Sequence, residues 1–360
     1  MEDERIDCTV VFGPDNVNHL CGYWRYFGGA SALAIDRDTE RTLVVMLDEL
    51  PIAERLSNAD RVVGYGKRGF GFDLDPVAGL IETLAAVPAV ARADRIGVAT
   101  ELAGADLRLD NAVAADLTDA GGVLGRIRLI KDWDELEKIN AGYRLCWLGQ
   151  EAVASGALPG ATEIELFTAA QATAQIASGA PIEFICDLLS GASTADVCCP
   201  IHVAGTRTLE AGDAVIADIV VRTAGYWGDT AGIYTVGGNS DAEAARSLLL
   251  DTLEGARTEL VPGATGAEIF ASMHARIVEA VPGGELPHHG GHALGLTSFE
   301  DPHLIPTDTM AFEPWMVLAV EPGVYLEGRY GARVENVFIV TPDGGLELRA
   351  AMAPAVGDES

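Results

Sequence analysis

Asp218-Ile-Val-Val-Arg-Thr-Ala-Gly-Tyr-Trp-Gly-Asp229 sets an aspartate at either end of an apolar run broken by a turn. The run from Ala214 to Ile219 leads into it and Ile233 to Val236 follows, and both flanks predict strands. Arg222-Thr-Ala-Gly225 predicts the turn between them. With those four residues as the loop, Val221 faces Tyr226, and counting outward sets Asp218 opposite Asp229. Facing residues of an antiparallel pair have Cβ atoms about 4.5–5.5 Å apart. Two carboxylates that close repel unless a cation lies between them. Two divalent metals about 3.5–4 Å apart would meet that need. Taken alone, the pair is as well explained as an acidic hairpin in an acidic protein.

Downstream residues change that balance. Pro287-His288-His289-Gly290-Gly291-His292-Ala293-Leu294-Gly295 places three of the seven histidines within five residues, among glycines that allow close backbone approach. Glu321 lies in Val317-Leu-Ala-Val-Glu321-Pro-Gly-Val-Tyr325 and Glu335 in Arg333-Val-Glu335-Asn-Val-Phe-Ile-Val340. Both are strand-like apolar runs, where an unpaired carboxylate is costly. A turn near Gly328 sets Glu321 opposite Glu335. Arg333 shares a face with Glu335, so a salt bridge is the plain alternative, but it serves only one of the two carboxylates directly. Asp218, Asp229, His292, Glu321 and Glu335 together make four carboxylates and one imidazole. That donor set suits Mn, Co, Fe(II) or Zn and balances two divalent charges. A water between two such ions would be a nucleophile near neutral pH.

Bulk composition narrows the setting. The 360 residues allow one large or two ordinary domains, and 49% hydrophobic content predicts a folded globular chain. Fifty-four acidic against 24 basic residues, a formal charge of −30, argue against nucleic acid or an anionic membrane as partner. The charged start, Met1-Glu-Asp-Glu-Arg5, lacks the apolar core of a secretory signal, and no run has the length of a membrane span. The six cysteines show no C-x-x-C spacing and read as free thiols of a reducing, cytoplasmic compartment. Cys198-Cys199, just ahead of His202, admit a ligand or nucleophile role beside the structural one.

Residues 1–128 predict a smaller α/β domain. It has a hairpin of Ser31 to Ile35 and Thr42 to Met46, a helix opened by Asp75-Pro76, and a strand from Arg95 to Ala99. Trp24-Arg-Tyr-Phe27 is an aromatic, basic patch that packs on its own domain or reaches a neighbouring subunit. Gly121-Gly122 reads as a linker, and a long amphipathic helix is predicted from Asp132. Residues 129–360 contain a repeat. Leu158-Pro-Gly-Ala-Thr162-Glu-Ile-Glu165-Leu-Phe167 matches Val261-Pro-Gly-Ala-Thr265-Gly-Ala-Glu268-Ile-Phe270, each a Pro-Gly turn followed by a capping box. Duplication into two similar halves around a cleft explains the match better than chance.

The order Asp, Asp, His, Glu, Glu in these contexts resembles the pita-bread metallopeptidases: prolidase (Xaa-Pro dipeptidase), aminopeptidase P, methionine aminopeptidase and creatinase. The matching segments are Gly212-Asp213 through Asp229, His288 through Leu296, Glu300-Asp-Pro302, Glu321-Pro-Gly323 with Tyr325, and Arg333-Val-Glu335-Asn336. The resemblance implies an α+β pita-bread catalytic domain with an internal pseudo-twofold repeat, preceded by a prolidase-like N-terminal α/β domain. It implies two divalent ions, manganese first among Mn, Co, Fe and Zn. Asp229 and Glu335 would bridge them, with Asp218 completing one and His292 and Glu321 the other. Glu321 would carry the proton from attacking water to leaving amine, His202 and His288 would contact substrate, and Arg333 would orient a ligand carboxylate. A homodimer is also implied.

Departures from the family pattern bear on substrate. Many members carry Asp-x-Thr-Arg where this chain has Asp229-Thr-Ala-Gly232, and the ligand histidine is followed by Ala293 instead of glycine. Phe299 stands where proline-specific members carry a histidine, which makes the pocket more apolar. The expected activity is metal-dependent hydrolysis of an amide C–N bond in a dipeptide or short peptide. The alternatives are hydrolysis or cleavage of a small non-peptide such as creatine or an osmolyte, and a non-catalytic binding module, against which the intact ligand set argues.

Overall fold

The computed structural model describes residues 6–67, 75–196 and 204–352. The chain divides into two compact units, Met1–Arg128 and Leu129–Ser360. Among the described residues no helix is long and apolar enough to cross a membrane.

The first unit is built on a six-stranded mixed sheet of β1 (Cys8–Phe12), β2 (Ala32–Asp36), β3 (Arg41–Met46), β4 (Arg61–Tyr65), β5 (Arg95–Thr100) and β6 (Asp116–Asp119). Their order is β4-β3-β2-β1-β5-β6. β2 and β3 form the antiparallel hairpin expected from sequence. The Asp75 side chain accepts from Ala78 N and caps the helix Pro76–Ala85, with proline in its first turn. Gly121-Gly122 is not a linker. It opens the helix Gly121–Leu129, where the Asp119 side chain accepts from Gly121 N and Leu124 is buried among Leu43, Val45 and Ala120. A cap and one buried leucine offset two glycines, each worth about 1 kcal/mol against a helix.

Among the described residues the second unit carries ten strands: β7 (Glu183–Ser190), β8 (Ala214–Thr223), β9 (Tyr226–Thr235), β10 (Gly291–Ala293), β11 (Glu300–His303), β12 (Val317–Val320), β13 (Gly323–Leu326), β14 (Tyr330–Arg333), β15 (Asn336–Thr341) and β16 (Gly344–Glu347). They make a three-stranded sheet β7-β8-β9, a five-stranded sheet β11-β10-β12-β15-β16 and a ribbon β13-β14. The helices Trp133–Gly156 and Glu163–Ser178 share a core with the first sheet. Ser240–Glu259 and Gly266–Ala280 share another with the second sheet and the ribbon.

The repeat is visible in the hydrogen bonds. Thr162 and Thr265 each cap a helix with a complete capping box. Gly160 N donates to Leu209 O, Leu209 N to Ala161 O and Ile164 N to Gly205 O. In the second half Gly263 N donates to Phe312 O, Phe312 N to Ala264 O and Ala267 N to Asp308 O, residue for residue the same pattern. A shared turn and helix start cannot by chance return to the same partners in a distant loop, so the structure supports two equivalent halves.

Along β8 the strand period of two divides the side chains. Val215, Ala217, Ile219 and Val221 join the core under the helix Trp133–Gly156. Asp218 and Val220 point the other way, into a cavity. The helix approaches β8 and β9 closely because Gly142 and Gly228 meet face to face. A Cβ on Gly228 would lie 2.0 Å from Tyr143 N and 2.4 Å from Gly142 C, both backbone atoms. Gly228→Ala must therefore lift the helix off the sheet next to Asp229, and its expected cost is about 1–3 kcal/mol of overpacking. Chemical denaturation of the variant against the wild type measures it, and equal midpoints would refute this account.

Candidate metal centre

The two aspartates do not face one another as the four-residue loop required. The turn has two residues, Ala224 and Gly225, both at positive φ (51° and 82°), and Thr223 pairs with Tyr226. This is the turn geometry that matches the twist of a tight hairpin. The shorter loop moves the register by two, so Asp218 faces Ala231 and Asp229 faces Val220. Since the shift is an even number of residues, both carboxylates keep the same face of the ribbon and become diagonal neighbours.

The glutamates occupy a break in a second hairpin. β12 pairs with β15 and β13 with β14 in one continuous register about a turn at Gly328, with Val320 opposite Asn336 and Gly323 opposite Arg333. Glu321 and Glu335 fall between the two ladders. Glu321 N donates instead to Gly290 O, and Glu335 N to Ala231 O on β9. Thr230 Oγ1 donates to Glu335 O, so the second hairpin is tied to the first at the acidic residues.

Asp218, Asp229, His292, Glu321 and Glu335 all line one cavity of about 440 Å³, with Ile185, Asp187, Val220, His288, His289, Phe299 and Arg333. Asp229, His292, Glu321 and Glu335 are buried. Asp229, His292 and Glu335 each offer a ligand atom within 4.8 Å of the others. His292 Nε2 lies 3.8 Å from Asp229 Oδ2 and 3.7 Å from Glu321 Oε1. Its Nδ1 donates to Ala293 O at 3.0 Å, which fixes the tautomer and turns the Nε2 lone pair into the cavity. Asp229 Oδ1 and Glu335 Oε1 are buried and have no hydrogen-bond partner among the described residues. Buried carboxylate oxygens left this way need a cation or a proton.

The electrostatics agree. Burial, then the Asp218 and Glu321 charges, push Asp229 well above the usual carboxylate range. Burial and the Asp229, Glu321 and Asp218 charges do the same to Glu335. Burial raises Asp218 to about 6 against the pull of Arg333. Burial also pushes Glu321 upward, but His289, by charge and hydrogen bond, with His288 and His292 holds it down to about 2. Burial lowers His292 to about 4, so its ring is neutral, the form that binds a metal. A neutral imidazole among carboxylates that resist ionisation is a fit for divalent cations.

Three residues around the cage have contacts that the sequence reading did not assign. Asp187 faces Asp218 across β7–β8 and lies 3.9 Å from Arg333, which also bonds Asp218 at 2.5 Å. Asp187 sits in an ordinary strand with no motif to mark it. His289 Nδ1 lies 3.0 Å from Glu321 Oε1, nearer the cage than His288. The His-His pair is legible in sequence; which ring turns inward is not. Tyr325 O–H donates to His288 Nε2 at 3.0 Å and accepts from Arg333 Nε at 2.8 Å, linking the two. Phe299 lines the cavity as expected, its ring centroid 4.2 Å from that of His292. His202, with Cys198 and Cys199, lies outside the described residues. Cys8, Cys21, Cys146 and Cys186 are buried free thiols.

Residues 137–342, more than half of the chain, match the model of metallopeptidase family M24. The protein belongs to metallopeptidase family M24. Residues 1–130 match the creatinase/prolidase N-terminal domain. The probable dipeptidase PepE of Mycobacterium tuberculosis (strain ATCC 25618 / H37Rv) is 31% identical over 232 residues, 64% of this chain and 60% of that relative's length. An uncharacterized peptidase of Staphylococcus aureus is 26% identical over 353 residues, 96% of this chain and 95% of its own. Among solved structures, prolidase from Pyrococcus furiosus superposes with a TM-score of 0.81 at 22% identity, covering 97% of this chain and 98% of that one. An Xaa-Pro dipeptidase from Bacillus anthracis gives 0.83 at 22%, covering 98% and 95%. These establish the fold of this M24 member, a pita-bread unit with a creatinase/prolidase-type N-terminal domain.

The raised carboxyls give this candidate cage a pH signature. Asp218, Asp229 and Glu335 favour the metal-free fold below their unfolded pKa of about 4, and that contribution is lost as pH rises through their folded values. Glu321 acts oppositely, stabilising above about 4.5 and losing its contribution as pH falls towards 2. From about pH 5 up through the Asp218 value of about 6 the first three dominate, because the cage must shed protons to ionise. The rise in melting temperature on adding Mn²⁺ should therefore grow with pH across that range in scanning calorimetry. A pH-independent increment would contradict the assignment.

Proposed function

We propose that this protein is a metal-dependent hydrolase of dipeptides or short peptides, with two divalent ions, Mn²⁺ foremost, held by Asp218, Asp229, His292, Glu321 and Glu335. The observation that carries this reading is the pair of buried oxygens, Asp229 Oδ1 and Glu335 Oε1, without a hydrogen bond among the described residues, beside the neutral His292 ring. The family supports it, as does the likeness to a probable dipeptidase.

When bound, divalent ions in such a cage supply Lewis acidity toward a carbonyl and a nucleophilic water at neutral pH. The protein's own groups do the rest. Glu321, held ionised by His289, takes a proton from the attacking water and returns it to the departing amine. His289 stands on the cavity wall as a donor or acceptor for the substrate carbonyl or carboxylate, and His288, whose ring nitrogens bond His289 O and Tyr325 Oη, would join it by releasing Tyr325. His202 is proposed to share that role. Arg333 holds Asp218 in orientation toward the cage. Phe299 and Ile185, both exposed apolar side chains at the cavity, favour an apolar substrate group and give no hydrogen bond to a prolyl peptide. We further propose a cytoplasmic homodimer that binds neither nucleic acid nor membrane.

The purified protein should bind two equivalents of divalent metal and hydrolyse Ala-Ala or Xaa-Pro dipeptides, with activity abolished by a chelator. His292→Ala should lose bound metal and more than about 100-fold in kcat/KM, about 2.7 kcal/mol of transition-state stabilisation. Bound metal with no turnover across a dipeptide panel would move the reading to a small non-peptide substrate, and absence of stoichiometric metal would remove the enzyme reading. Phe299→His should raise kcat/KM for Xaa-Pro relative to Ala-Ala. An unchanged ratio would separate Phe299 from specificity.

A further inference from the structure

Asp218 and Asp229 are diagonal neighbours, so their approach depends on how β8 and β9 twist and shear against each other. Diagonal positions in an antiparallel pair stand about 7–8 Å apart, against about 4.5–5.5 Å for facing ones. A pair of ligands set this way tolerates little slack between the strands. One buried side chain bears on that spacing. Gln150, 2% exposed on the helix Trp133–Gly156, donates from Nε2 to Ala217 O and to Thr230 O, both at 2.9 Å. Ala217 immediately precedes Asp218, and Thr230 immediately follows Asp229. One planar amide thus joins the two strands beside both aspartates, from the side opposite the cavity.

The amide's orientation is set by chemistry. Both carbonyls accept only, so the NH₂ end must face them. Gln150 Oε1 then accepts from Tyr234 Oη at 2.7 Å. Gly232 leaves the space for this arrangement: a Cβ there would lie 2.8 Å from Tyr234 Oη and 3.0 Å from Gln150 Oε1. The helix itself is seated by Gly142 against Gly228 and by Gly149 against Ile219, so the amide is anchored on a rigid support.

We propose that Gln150, held by Tyr234 in the space left by Gly232, is a positioning residue that clamps β8 to β9 and sets the spacing of Asp218 and Asp229 for divalent metal. The proposal rests on the functional reading above and adds a residue that touches neither metal nor substrate. A merely structural role would lower stability and leave the metal's surroundings alone. A positioning role changes affinity and coordination geometry.

The test uses full-length protein stripped of metal. Mn²⁺ affinity is measured by calorimetric titration, and coordination by the visible absorption of the Co²⁺ form. Gln150→Leu, close in size but without a donor, should weaken Mn²⁺ binding about tenfold, as for loss of a group that orients a ligand, and alter the Co²⁺ bands. Tyr234→Phe should shift both in the same direction by less. Val153→Ala, in the core of the same helix, should lower the melting temperature while leaving affinity and spectrum unchanged. Gln150→Leu matching the wild type in affinity and spectrum would overturn the clamp. If that variant does not fold, wild-type behaviour of Tyr234→Phe overturns it. A wild type that binds neither ion overturns the functional reading and the clamp together, whereas tight wild-type binding with indifferent variants overturns the clamp alone.

Discussion

Concentrating negative charge in a buried space is the constraint to which the second unit is built. Two unit charges about 4 Å apart interact by about 4 kcal/mol at a protein-like dielectric of about 20. Several such repulsions rival the whole stability of a domain, about 5–15 kcal/mol. Asp218, Asp229, Glu321 and Glu335 share one cavity, and Asp187 adds a fifth carboxylate to its wall. Arg333 offsets part of that charge at Asp218 and Asp187. His289 offsets part at Glu321. Asp229 and Glu335 each keep a buried oxygen with no hydrogen bond among the described residues, and their carboxyls are the ones driven furthest toward the neutral form. A divalent cation would relieve those two most.

Strain of this kind persists only where the surroundings leave no easier arrangement. The closeness of Gly142 to Gly228 locks the helix Trp133–Gly156 to the ribbon carrying both aspartates. The bonds from Glu335 N to Ala231 O and from Thr230 Oγ1 to Glu335 O lock the second ribbon to the first. His292 lies on β10, paired with β12, so the imidazole is set by the same sheet that delivers Glu321. Each of the five candidate ligands therefore arrives on a strand or at a strand end.

The cavity joins two chemistries. Its depth is ionic, and its mouth carries Ile185 and Phe299, 37% and 56% exposed. Phe299 stacks near His292 and meets His289 edge-on at 5.7 Å, so the apolar wall abuts the donor groups. The loop bearing Phe299 is pinned by Glu300, which accepts from Leu296 N and Thr297 N and pairs with the buried Lys131 at 2.9 Å. The pinned loop thus fixes which side chain, here Phe299, is presented to the cavity.

Much is legible from local chemistry. The caps at Asp75, Asp132, Thr162 and Thr265 are readable because an N-cap acts within one helical turn. The Gly328 turn and the register setting Glu321 against Glu335 are readable because strand period and turn residues are short-range signals. The Asp218–Asp229 register is not, because a two-residue and a four-residue loop differ by one or two backbone angles. Residue spacing cannot separate them; the positive φ of Ala224 does, and alanine gives no hint of it. Which histidine turns toward Glu321, that Asp187 joins the wall, and that Gln150 spans two strands were decided by tertiary structure alone. Those contacts link residues tens of positions apart, and no local pattern encodes which face of a distant strand will meet them. The sequence by itself determined the candidate donor set, the repeat and the elements that carry them, since these follow from residue type and period. Packing determined the distances, and with them which carboxylate oxygens are left without a partner.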